Sequence, residues 1–477
     1  MSSRPRRPTS RPRRPRRDPV RVLAFDALRA VEERDAYANL VLPPLLRRGR
    51  DAGELDARDT ALATELVYGT LRWQGSYDAV IDACSDRPLA GIDPPVLDVL
   101  RIGTHQLLGT RIPGHAAVSS AVELARYVLG EGPARFVNAV LRRVAADDLR
   151  GWLDRLAPPF ERDPERHLSL VHAHPRWVVS ALWDALGGGR EDIERLLAAD
   201  NERPQVTLVA RPGRSTAAEL LTAARDGDEG RALPGRWSPL AVRLTEGGDP
   251  GAVPQVCDGL AGVQDEGSQL VALALAAAPL EGADARWLDG CAGPGGKAAL
   301  LGALAAERGA ALLAAEPRPH RARLVRRALA GTPGAHQVAI ADSTRPPWRS
   351  GTFDRVLVDV PCTGLGALRR RPESRWRRRP GDLEGLASLQ RGLLRQALAA
   401  ARPGGVVGYA TCSPHLAETR AVVADVLKKP GQAAAEWIDA RPLLPGVPEL
   451  GAGPDVQLWP HRHGTDAMYL ALLRRTG

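Results

Sequence analysis

The spacing of hydrophobic residues divides the chain into three stretches. From Val20 to about Ala146, apolar residues recur every three or four positions, as Phe25 and Leu28 do. This spacing places an apolar stripe along one face of a helix, so the stretch predicts an all-α bundle of about six helices. We assign residues 19–150 to this helical domain.

The second stretch, residues 151–253, mixes two patterns. Helical spacing at 177–186 and 193–199 is followed by a strand-like run at 206–210 and a helix-like segment at 215–225. Short segments of both kinds favour a small α+β module that links two larger domains.

Strand and helix patterns alternate from about residue 254 onward. The predicted strands span 286–289, 311–316, 337–342, 353–359 and 406–411, and the predicted helices span 268–279, 297–308, 318–329, 383–401 and 415–428. A hairpin of 456–459 and 468–473 follows. Repeated β-α units predict a parallel sheet with helices on both faces, whose ligand binds at the carboxyl ends of the strands. We expect a multidomain chain in which residues 254–477 form one α/β domain.

The composition is typical of a globular protein of the reducing cytoplasm. A chain of 477 residues is too long for one core, and 44% hydrophobic with 25% charged residues argues against disorder. The longest apolar stretch, 270–280, is shorter than the roughly 20 residues that span a bilayer, and no secretory signal follows the basic N-terminus. Five cysteines without CxxC spacing argue against a disulfide framework and against a zinc site. We expect a monomer that binds neither membrane nor metal.

Positive charge is concentrated in two segments. Residues 1–17 contain eight arginines and no acid, and residues 369–379 contain seven arginines and one acid, within a net charge of +9. Such patches on a slightly acidic body are typical of contacts with a polyanion. An arginine-rich composition is the alternative, since the chain has only three lysines; it explains the choice of arginine but not the clustering. Residues 1–18 lack apolar periodicity and predict a disordered arm.

A glycine-rich turn follows the first strand of the predicted α/β domain. It consists of Cys291, Ala292, Gly293, Pro294, Gly295, Gly296 and Lys297. Glycines allow a sharp turn and a close approach of a ligand to the backbone, and the following helix offers unpaired N–H groups. A P-loop is excluded by spacing, because its pattern requires Gly at position 291 and Ser or Thr at position 298, where the chain has Cys and Ala.

Acidic residues end the next three strands: Glu316, Asp342 and Asp359. An acid after the second strand of such folds commonly accepts hydrogen bonds from ribose hydroxyls. Each acid could alone be a helix N-cap or a solvated loop residue. Three acids at equivalent positions favour one crevice, whose ligand carries positive charge.

Two cysteines follow the fourth and fifth strands. Cys362 lies in Asp359-Val-Pro-Cys-Thr-Gly, and Cys412 lies in Tyr409-Ala-Thr-Cys-Ser-Pro. Neighbouring parallel strands would bring these thiols together, and a nearby cation such as Lys297 could lower a thiol pKa from its ordinary value of about 8.5. The alternative is that each cysteine is a small buried hydrophobe, although both lie beside Pro, Gly, Thr and Ser.

Together these segments resemble the RsmB/NOP (Sun) family of S-adenosylmethionine-dependent RNA cytosine-5 methyltransferases. The resemblance covers nearly the whole chain beyond residue 18. It is carried by Val263–Gln269, the 289–297 turn, Asp359–Trp376, Tyr409–Ser413 with Glu418, and Leu458–Asp466. The first domain resembles the NusB-like RNA-binding domain of bacterial RsmB proteins through Ala63–Leu71, His115–Ser119 and Phe136–Arg143. Gly293 and Ala298 stand where the family usually has Ala and Thr.

The resemblance implies a Rossmann-like methyltransferase domain and assigns roles to its strand-end residues. Cys412 would attack C6 of cytosine, Cys362 would assist product release, and Asp359 would bind the base and lie beside the cofactor. S-adenosyl-L-methionine would place its methionine end at residues 291–297. Its ribose would bind Glu316 and its adenine would bind Asp342.

The resemblance also implies an RNA substrate. Contacts to the RNA strand would come from Arg369, Arg370, Arg371, Arg375 and Trp376. The alternative for this segment is a solvated arginine face with Trp376 in the core. Small-subunit ribosomal RNA is the expected substrate by analogy with bacterial RsmB, transfer RNA is the alternative substrate, and a non-enzymatic RNA-binding scaffold is the alternative function. A DNA cytosine methyltransferase is disfavoured, because in that class the nucleophile lies in the Pro-Cys motif and the second cysteine would have no role.

Overall fold

The computed structural model describes residues 17–245, 250–428 and 433–477. Within these residues the chain divides into two units. The first contains the described residues up to Arg176 together with Arg371–Glu373, and the second contains Trp177–Arg370 and Ser374–Gly477. Residues 1–16, most of the predicted N-terminal arm, lie outside the described residues.

The first unit is built from helices. They are α1 (Pro19–Glu33), α2 (Ala38–Asp51), α3 (Ala57–Cys84), α4 (Pro94–Leu108), α5 (Gly114–Leu129), α6 (Glu131–Val144), α7 (Leu149–Leu156) and α8 (Pro164–Val171). Asp18 caps α1 by accepting a hydrogen bond from the backbone N–H of Arg21, and Asp56 and Asp59 form a reciprocal capping box at the start of α3. The apolar stripes of α1 to α6 meet in one core. These six helices confirm the predicted bundle.

The second unit begins with a small antiparallel sheet and its helices. The elements are α9 (Arg176–Leu186), α10 (Arg190–Asp200), β1 (Val206–Ala210), α11 (Ala217–Arg225), β2 (Ala232–Pro234), β3 (Ala241–Leu244), α12 (Pro254–Cys257) and β4 (Ala261–Val263). The strand order is β2-β3-β1-β4. The buried side chain of Leu220 on α11 packs against this sheet with Leu208 and Val242. Because β1 pairs with β4, the sheet extends beyond residue 253.

A larger sheet forms the rest of the second unit. Its elements are α13 (Glu266–Ala277), β5 (Arg286–Asp289), α14 (Gly296–Glu307), β6 (Ala311–Ala315), α15 (Pro319–Leu329), β7 (His336–Ala339), β8 (Phe353–Asp359), α16 (Ser374–Arg377), α17 (Asp382–Ala400), β9 (Ala401–Thr411), α18 (Arg420–Lys428), β10 (Ala435–Ile438), β11 (Val456–Gln457), α19 (Pro460–His463) and β12 (Tyr469–Arg475). The strand order is β10-β12-β9-β8-β5-β6-β7, and β11 pairs with β12. Every predicted strand and helix of this domain has a counterpart, whereas β10 and the short helices α16 and α19 were not predicted.

The sheet is mixed, which corrects the prediction of a purely parallel one. Strands β5 to β9 pair in parallel, but β12 pairs antiparallel with β9 and β10 pairs antiparallel with β12. The chain enters β12 from a hairpin with β11 rather than from a crossover helix, and a hairpin can join only antiparallel strands. The pairing of Tyr469 with Thr411 brings the C-terminal segment beside the end of β9.

Helices cover both faces of the large sheet. Successive residues of β8 point to opposite faces, so Val356 and Val358 pack with Leu394 of α17 while Leu357 packs with Leu275 of α13. Both sides of β8 are therefore buried, as expected for a central strand of an α/β sheet. No helix in the described part of the chain is both long and apolar enough to cross a membrane.

Candidate active site

The strand order brings the chemically interesting residues to one edge of the large sheet. Cys412 directly follows β9, Asp359 ends β8, Asp289 ends β5 and Glu316 directly follows β6. Because these strands are parallel neighbours in the order β9-β8-β5-β6, their carboxyl ends lie side by side. The sheet therefore sets a thiol and three carboxyl groups in one row.

The thiols of Cys362 and Cys412 are in contact. Their sulfur atoms lie 3.4 Å apart, and both residues are half-buried. The hydrogen bond to Cys412, together with burial, raises the pKa of the Cys362 thiol well above its ordinary value. Cys362 is therefore a neutral thiol at physiological pH, next to the sulfur of Cys412.

The carboxylate of Glu418 holds the two cysteine loops together. It is fully buried and accepts hydrogen bonds from the backbone N–H of Thr363 at 2.8 Å and from the hydroxyl of Ser413 at 2.6 Å. The Thr363 hydroxyl also donates to Glu418, and it lies 3.0 Å from the Ser413 hydroxyl. Thr363 follows Cys362 and Ser413 follows Cys412, so one carboxylate connects the residues next to both thiols.

Two further contacts fix these loops. The side-chain amide of Gln390, on α17, donates to the carbonyl of Pro361 at 2.8 Å and to Glu418 at 3.0 Å. The backbone N–H of Gly366 donates to the carbonyl of Cys412 at 2.9 Å. A Cβ at position 366 would lie 2.8 Å from that carbonyl oxygen and 2.3 Å from the carbonyl oxygen of Ala467, so only glycine fits.

Lys297 connects the glycine turn to the cysteine side of the site. Its ammonium donates to Asp359 at 2.8 Å and to the Ser268 hydroxyl at 2.6 Å. Burial lowers the pKa of Lys297, but the attraction of Asp359, with a smaller contribution from Cys412, outweighs burial and raises the pKa above its ordinary value. Lys297 therefore stays charged and interacts electrostatically with the sulfur of Cys412.

The glycine turn has a backbone conformation that requires glycine. Gly293 and Gly295 have φ values of +57° and +102°. A Cβ at position 295 would lie 2.6 Å from the Cβ of Ala328 and 3.0 Å from the Cα of Val325. The turn therefore packs its backbone directly on α15 and starts α14 at the edge of the site.

Three carboxyl groups border the turn, each in a different environment. Asp289 is buried and accepts from the backbone N–H of Cys291 through one oxygen, while its other oxygen has no partner among the described residues. Burial, and secondarily repulsion by Asp359, raises the pKa of Asp289 to about 7. Glu316 is buried and accepts from the backbone N–H of Arg318. Asp342 is exposed, and the hydrogen bonds from Thr344 lower the pKa of Asp342.

The arginine-rich segment divides into buried and accessible residues. Arg375 is fully buried, and its guanidinium donates to the side chain of Asn201 at 2.8 Å. Arg369 is 6% exposed and donates to the carbonyl of Gly464. The burial and the hydrogen bonds of these two arginines argue against the RNA contacts expected for them from the sequence.

The other members of the segment are more accessible. Arg370 is half-buried and pairs with Asp265 at 2.7 Å and with Asp466 at 3.0 Å. Arg371 is exposed, and Trp376 is half-buried. Arg371 belongs to the first unit.

The sequence did not identify three residues of this site individually. Asp289 was predicted only as the start of the glycine turn and Glu418 only as part of a family motif, and Gln390 was not predicted. A buried glutamate or glutamine has no signature in hydrophobic spacing. The sequence does contain one relevant pattern: a hydroxyl residue, Thr363 or Ser413, follows each cysteine. Two buried hydroxyls that lie close together need a hydrogen-bond acceptor, which here is Glu418.

Comparison with known proteins agrees with this architecture. A family model described as 16S rRNA methyltransferase RsmB/F matches residues 274–474, and the NusB family model matches residues 18–146. A Mycobacterium tuberculosis protein that carries the provisional name of methyltransferase is 55% identical over 460 residues, covering 96% of this chain and 97% of that protein. The ribosomal RNA small subunit methyltransferase B of Sodalis glossinidius is 33% identical over 448 residues, covering 91% of this chain and 96% of that protein.

A solved structure has the same fold. The crystal structure of PH0851 covers 96% of this chain and 99% of its own, with a TM-score of 0.78 and 20% sequence identity. The likeness confirms the helical first part and the Rossmann-like sheet of the second unit.

Proposed function

Since this chain belongs to the RsmB/F family of 16S rRNA methyltransferases, we propose that it transfers a methyl group from S-adenosyl-L-methionine to C5 of a cytosine in small-subunit ribosomal RNA. The observation that carries the proposal is the contact between Cys362 and Cys412 at 3.4 Å. Methylation at C5 of cytosine requires a nucleophile at C6 and a later removal of the C5 proton. Of two thiols in contact, one can supply the nucleophile and the other can stabilise the thiolate that leaves when the C5 proton is lost.

Cys412 is the nucleophile in this proposal. Its thiolate adds to C6, which breaks the conjugation of the ring and leaves electron density on C5. The charged ammonium of Lys297 attracts the sulfur of Cys412 and favours its thiolate form. The base must leave its stack for this attack, because C6 is approached from above the ring.

Cys362 acts after methyl transfer. Its raised pKa keeps it protonated, so it is a hydrogen-bond donor to Cys412 rather than a competing nucleophile. A water molecule takes the C5 proton, the electron pair of the C5–H bond re-forms the double bond between C5 and C6, and the bond between C6 and the sulfur of Cys412 breaks. The electron pair of the broken bond returns to that sulfur as a thiolate. The thiol of Cys362 stabilises the departing thiolate. In this proposal Asp359 hydrogen-bonds the edge of the base, and its carboxylate also accepts a hydrogen bond from Lys297.

The glycine turn and its carboxyl groups fit S-adenosyl-L-methionine. When bound, this group supplies an electrophilic methyl on a positively charged sulfur. The unpartnered oxygen of Asp289 and the carboxylate of Asp359 suit its positive charges, and Glu316 at the end of β6 suits its ribose hydroxyls. Asp342 lies beyond β7, at the adenine position expected from the family resemblance. The turn from Cys291 to Lys297 holds the methionine end.

Each unit has accessible residues that are candidates for RNA contacts. Arg371 and Trp376 remain candidates for contacts with the strand that carries the target base, through stacking and phosphate contacts. Arg370 forms ion pairs with Asp265 and Asp466, and these contacts position the arginine-rich segment. The helical first unit, which matches the NusB family, adds RNA-binding surface.

Methyl transfer to purified RNA tests this function directly. The enzyme is incubated with cofactor labelled in its methyl group and, separately, with 16S rRNA, transfer RNA and DNA, and the modified base is identified after digestion. Label in 5-methylcytosine of 16S rRNA with the wild type, and none with Cys412→Ala, supports the proposal. Label in transfer RNA alone would establish the alternative substrate, and label in a different base would refute the chemistry. RNA binding without transfer would point to a scaffold.

A further inference from the structure

A cavity of about 240 Å³ lies within the second unit, between the small sheet and the start of α14. One wall is formed by β1 and β4 and the residues that follow them, and the other by the glycine turn and α14. The lining residues include Arg211, Gly262, Gln264, Pro294, Gly296 and Ala328. The polar groups of these residues determine what the cavity can bind.

Two arginines converge beside this cavity without a counter-charge. Arg211 lines it and donates to the carbonyl of Gly259 at 2.8 Å, and Arg214 donates to the same carbonyl at 2.9 Å. Neither guanidinium forms an ion pair with any carboxylate in the described ranges. Burial, and then the repulsion of Arg214, lowers the pKa of Arg211. Two half-buried cations that share one neutral acceptor create a positive potential that an anion would relieve.

Neutral donors line the cavity on both of its walls. Gln264 is 7% exposed, and neither atom of its side-chain amide has a hydrogen-bond partner in the part of the chain that the structure describes. Buried amides are almost always hydrogen-bonded, so this one is available to a bound group. Gly296, the first residue of α14, also lines the cavity, and the start of a helix attracts anions through its unpaired N–H groups.

We propose that this cavity binds a backbone phosphate of the RNA substrate. An oxyanion there would meet Arg211, the amide of Gln264 and the start of α14, while Arg214 adds positive charge. The inference rests on the proposed function, since it takes RNA as the substrate. The carboxylate of the cofactor is the other source of an oxyanion, but the site already has Lys297 at the cofactor side. Arg211 instead follows β1 of the small sheet, which contributes no strand to the cofactor crevice.

RNA binding as a function of salt tests the phosphate contact. Binding of in vitro transcribed 16S rRNA is measured by filter retention over a series of salt concentrations, for the wild type, Arg211→Gln and Arg211→Lys. Losing one phosphate contact lowers the slope of log K against log salt by about one, so Arg211→Gln should bind three- to tenfold more weakly at low salt with a reduced slope. Arg211→Lys keeps the charge and should keep the slope.

A second variant tests the amide without removing an arginine. Gln264→Glu has nearly the same shape but brings a negative charge into the cavity, so we expect RNA binding to weaken about tenfold. Arg395→Gln, an exposed position on α17 outside the cavity, is the matched control and should behave like the wild type. The Michaelis constant for the cofactor should be unchanged in all variants.

The two sources of the oxyanion give different results. A raised Michaelis constant for the cofactor in Arg211→Gln, with an unchanged salt slope for RNA, would assign the cavity to the cofactor and overturn the proposal. If Arg211→Gln had the same RNA affinity and the same salt slope as the control Arg395→Gln, the proposal would also be overturned. Because binding is measured without catalysis, failure of the proposed methyl transfer would appear in the wild type and is distinguishable from failure of the phosphate contact.

Discussion

The sulfur atoms of Cys362 and Cys412 lie 3.4 Å apart, although fifty residues separate them in the chain. The parallel pairing of β8 with β9 brings the two strand ends together, and Glu418 connects the residues that follow each cysteine. The two thiols therefore lie together because of backbone pairing and a buried carboxylate, and no covalent bond joins their sulfur atoms.

Exchanging each cysteine for alanine should give opposite results. Cys362→Ala retains the nucleophile but lacks the thiol that assists release, so a covalent RNA–protein adduct should accumulate. Cys412→Ala should form no adduct and should transfer no methyl group. Denaturing gel electrophoresis of the enzyme mixed with labelled RNA and cofactor separates the two cases. An adduct with Cys412→Ala but not with Cys362→Ala would reverse the assignment.

Mild oxidation should join the two thiols. Diamide oxidises two neighbouring thiols to a disulfide and is itself reduced to the hydrazine, and sulfurs in contact need little movement to bond. Thiol titration of the denatured protein should show two thiols lost together with activity, and dithiothreitol should restore both. The single alanine variants serve as controls, because neither can form this bond. Loss of thiols at Cys257 instead, the exposed cysteine, would contradict the prediction.

Replacing Glu418 by glutamine should separate the cysteine loops. The amide would turn a donor toward the backbone N–H of Thr363 or toward the amide of Gln390, and the charge-assisted bonds would be lost. We expect the turnover number to fall about a hundredfold, as for a displacement of roughly 1 Å, with little change in the Michaelis constant for the cofactor. Formation of the disulfide by diamide should also slow, which is a readout independent of catalysis. Glu384→Gln, at an exposed position of α17, is the control and should retain wild-type rates.

Adding one methyl group at Gly295 should damage the turn. An alanine there has an unfavourable positive φ and would collide with Ala328 and the backbone of Val325, so we expect a loss of about 2–4 kcal/mol in folding free energy and weaker cofactor binding. At the next position, Gly296, a Cβ meets no atom of the described residues within 4 Å, so Gly296→Ala should keep the melting temperature of the wild type. Differential scanning calorimetry checks the pair, and equal melting temperatures for the two variants would refute the packing argument.

Asp289→Asn should alter how stability depends on pH. Burial raises the pKa of Asp289 to about 7, so the folded protein holds a proton that the unfolded chain releases near pH 4. As the pH rises from about 4 to about 7, the free energy of unfolding of the wild type therefore falls by roughly 4 kcal/mol, which corresponds to three pKa units. The Asp289→Asn variant lacks the titrating group and does not lose this stability. The melting temperature of the variant should rise relative to the wild type across this window. Asp342→Asn should show no such rise in melting temperature. Hydrogen bonds from Thr344 lower the pKa of Asp342, so its ionised carboxylate stabilises the folded protein instead of destabilising it. If the melting temperatures of Asp289→Asn and the wild type differed by the same amount at every pH from 4 to 7, the raised pKa of the buried Asp289 carboxyl would be contradicted.

Local patterns in the chain sufficed to predict most of the elements. The bounds of β5 and β8 agree with the predicted 286–289 and 353–359, because short apolar segments end there at an aspartate. The same alternation of strands and helices indicated that Cys362 and Cys412 would meet. Element bounds depend on neighbours in sequence, and the pairing of successive parallel strands follows from the alternation of strands and helices, so both could be predicted without coordinates.

Other features depend on which surface each residue meets after folding. The family resemblance implied that Arg375 contacts RNA, yet the fold buries it against Asn201. The sequence does not reveal the polar partners that compensate the desolvation of a charged side chain. The short strand β10 has two exposed residues of four and shows no hydrophobic pattern, so it is defined only by its pairing with β12. The sequence thus determined the elements and the chemical groups at their ends. Tertiary structure decided the antiparallel edge of the sheet, the buried clamp of Glu418 and the cavity beside Arg211, because each requires contacts between segments far apart in the chain.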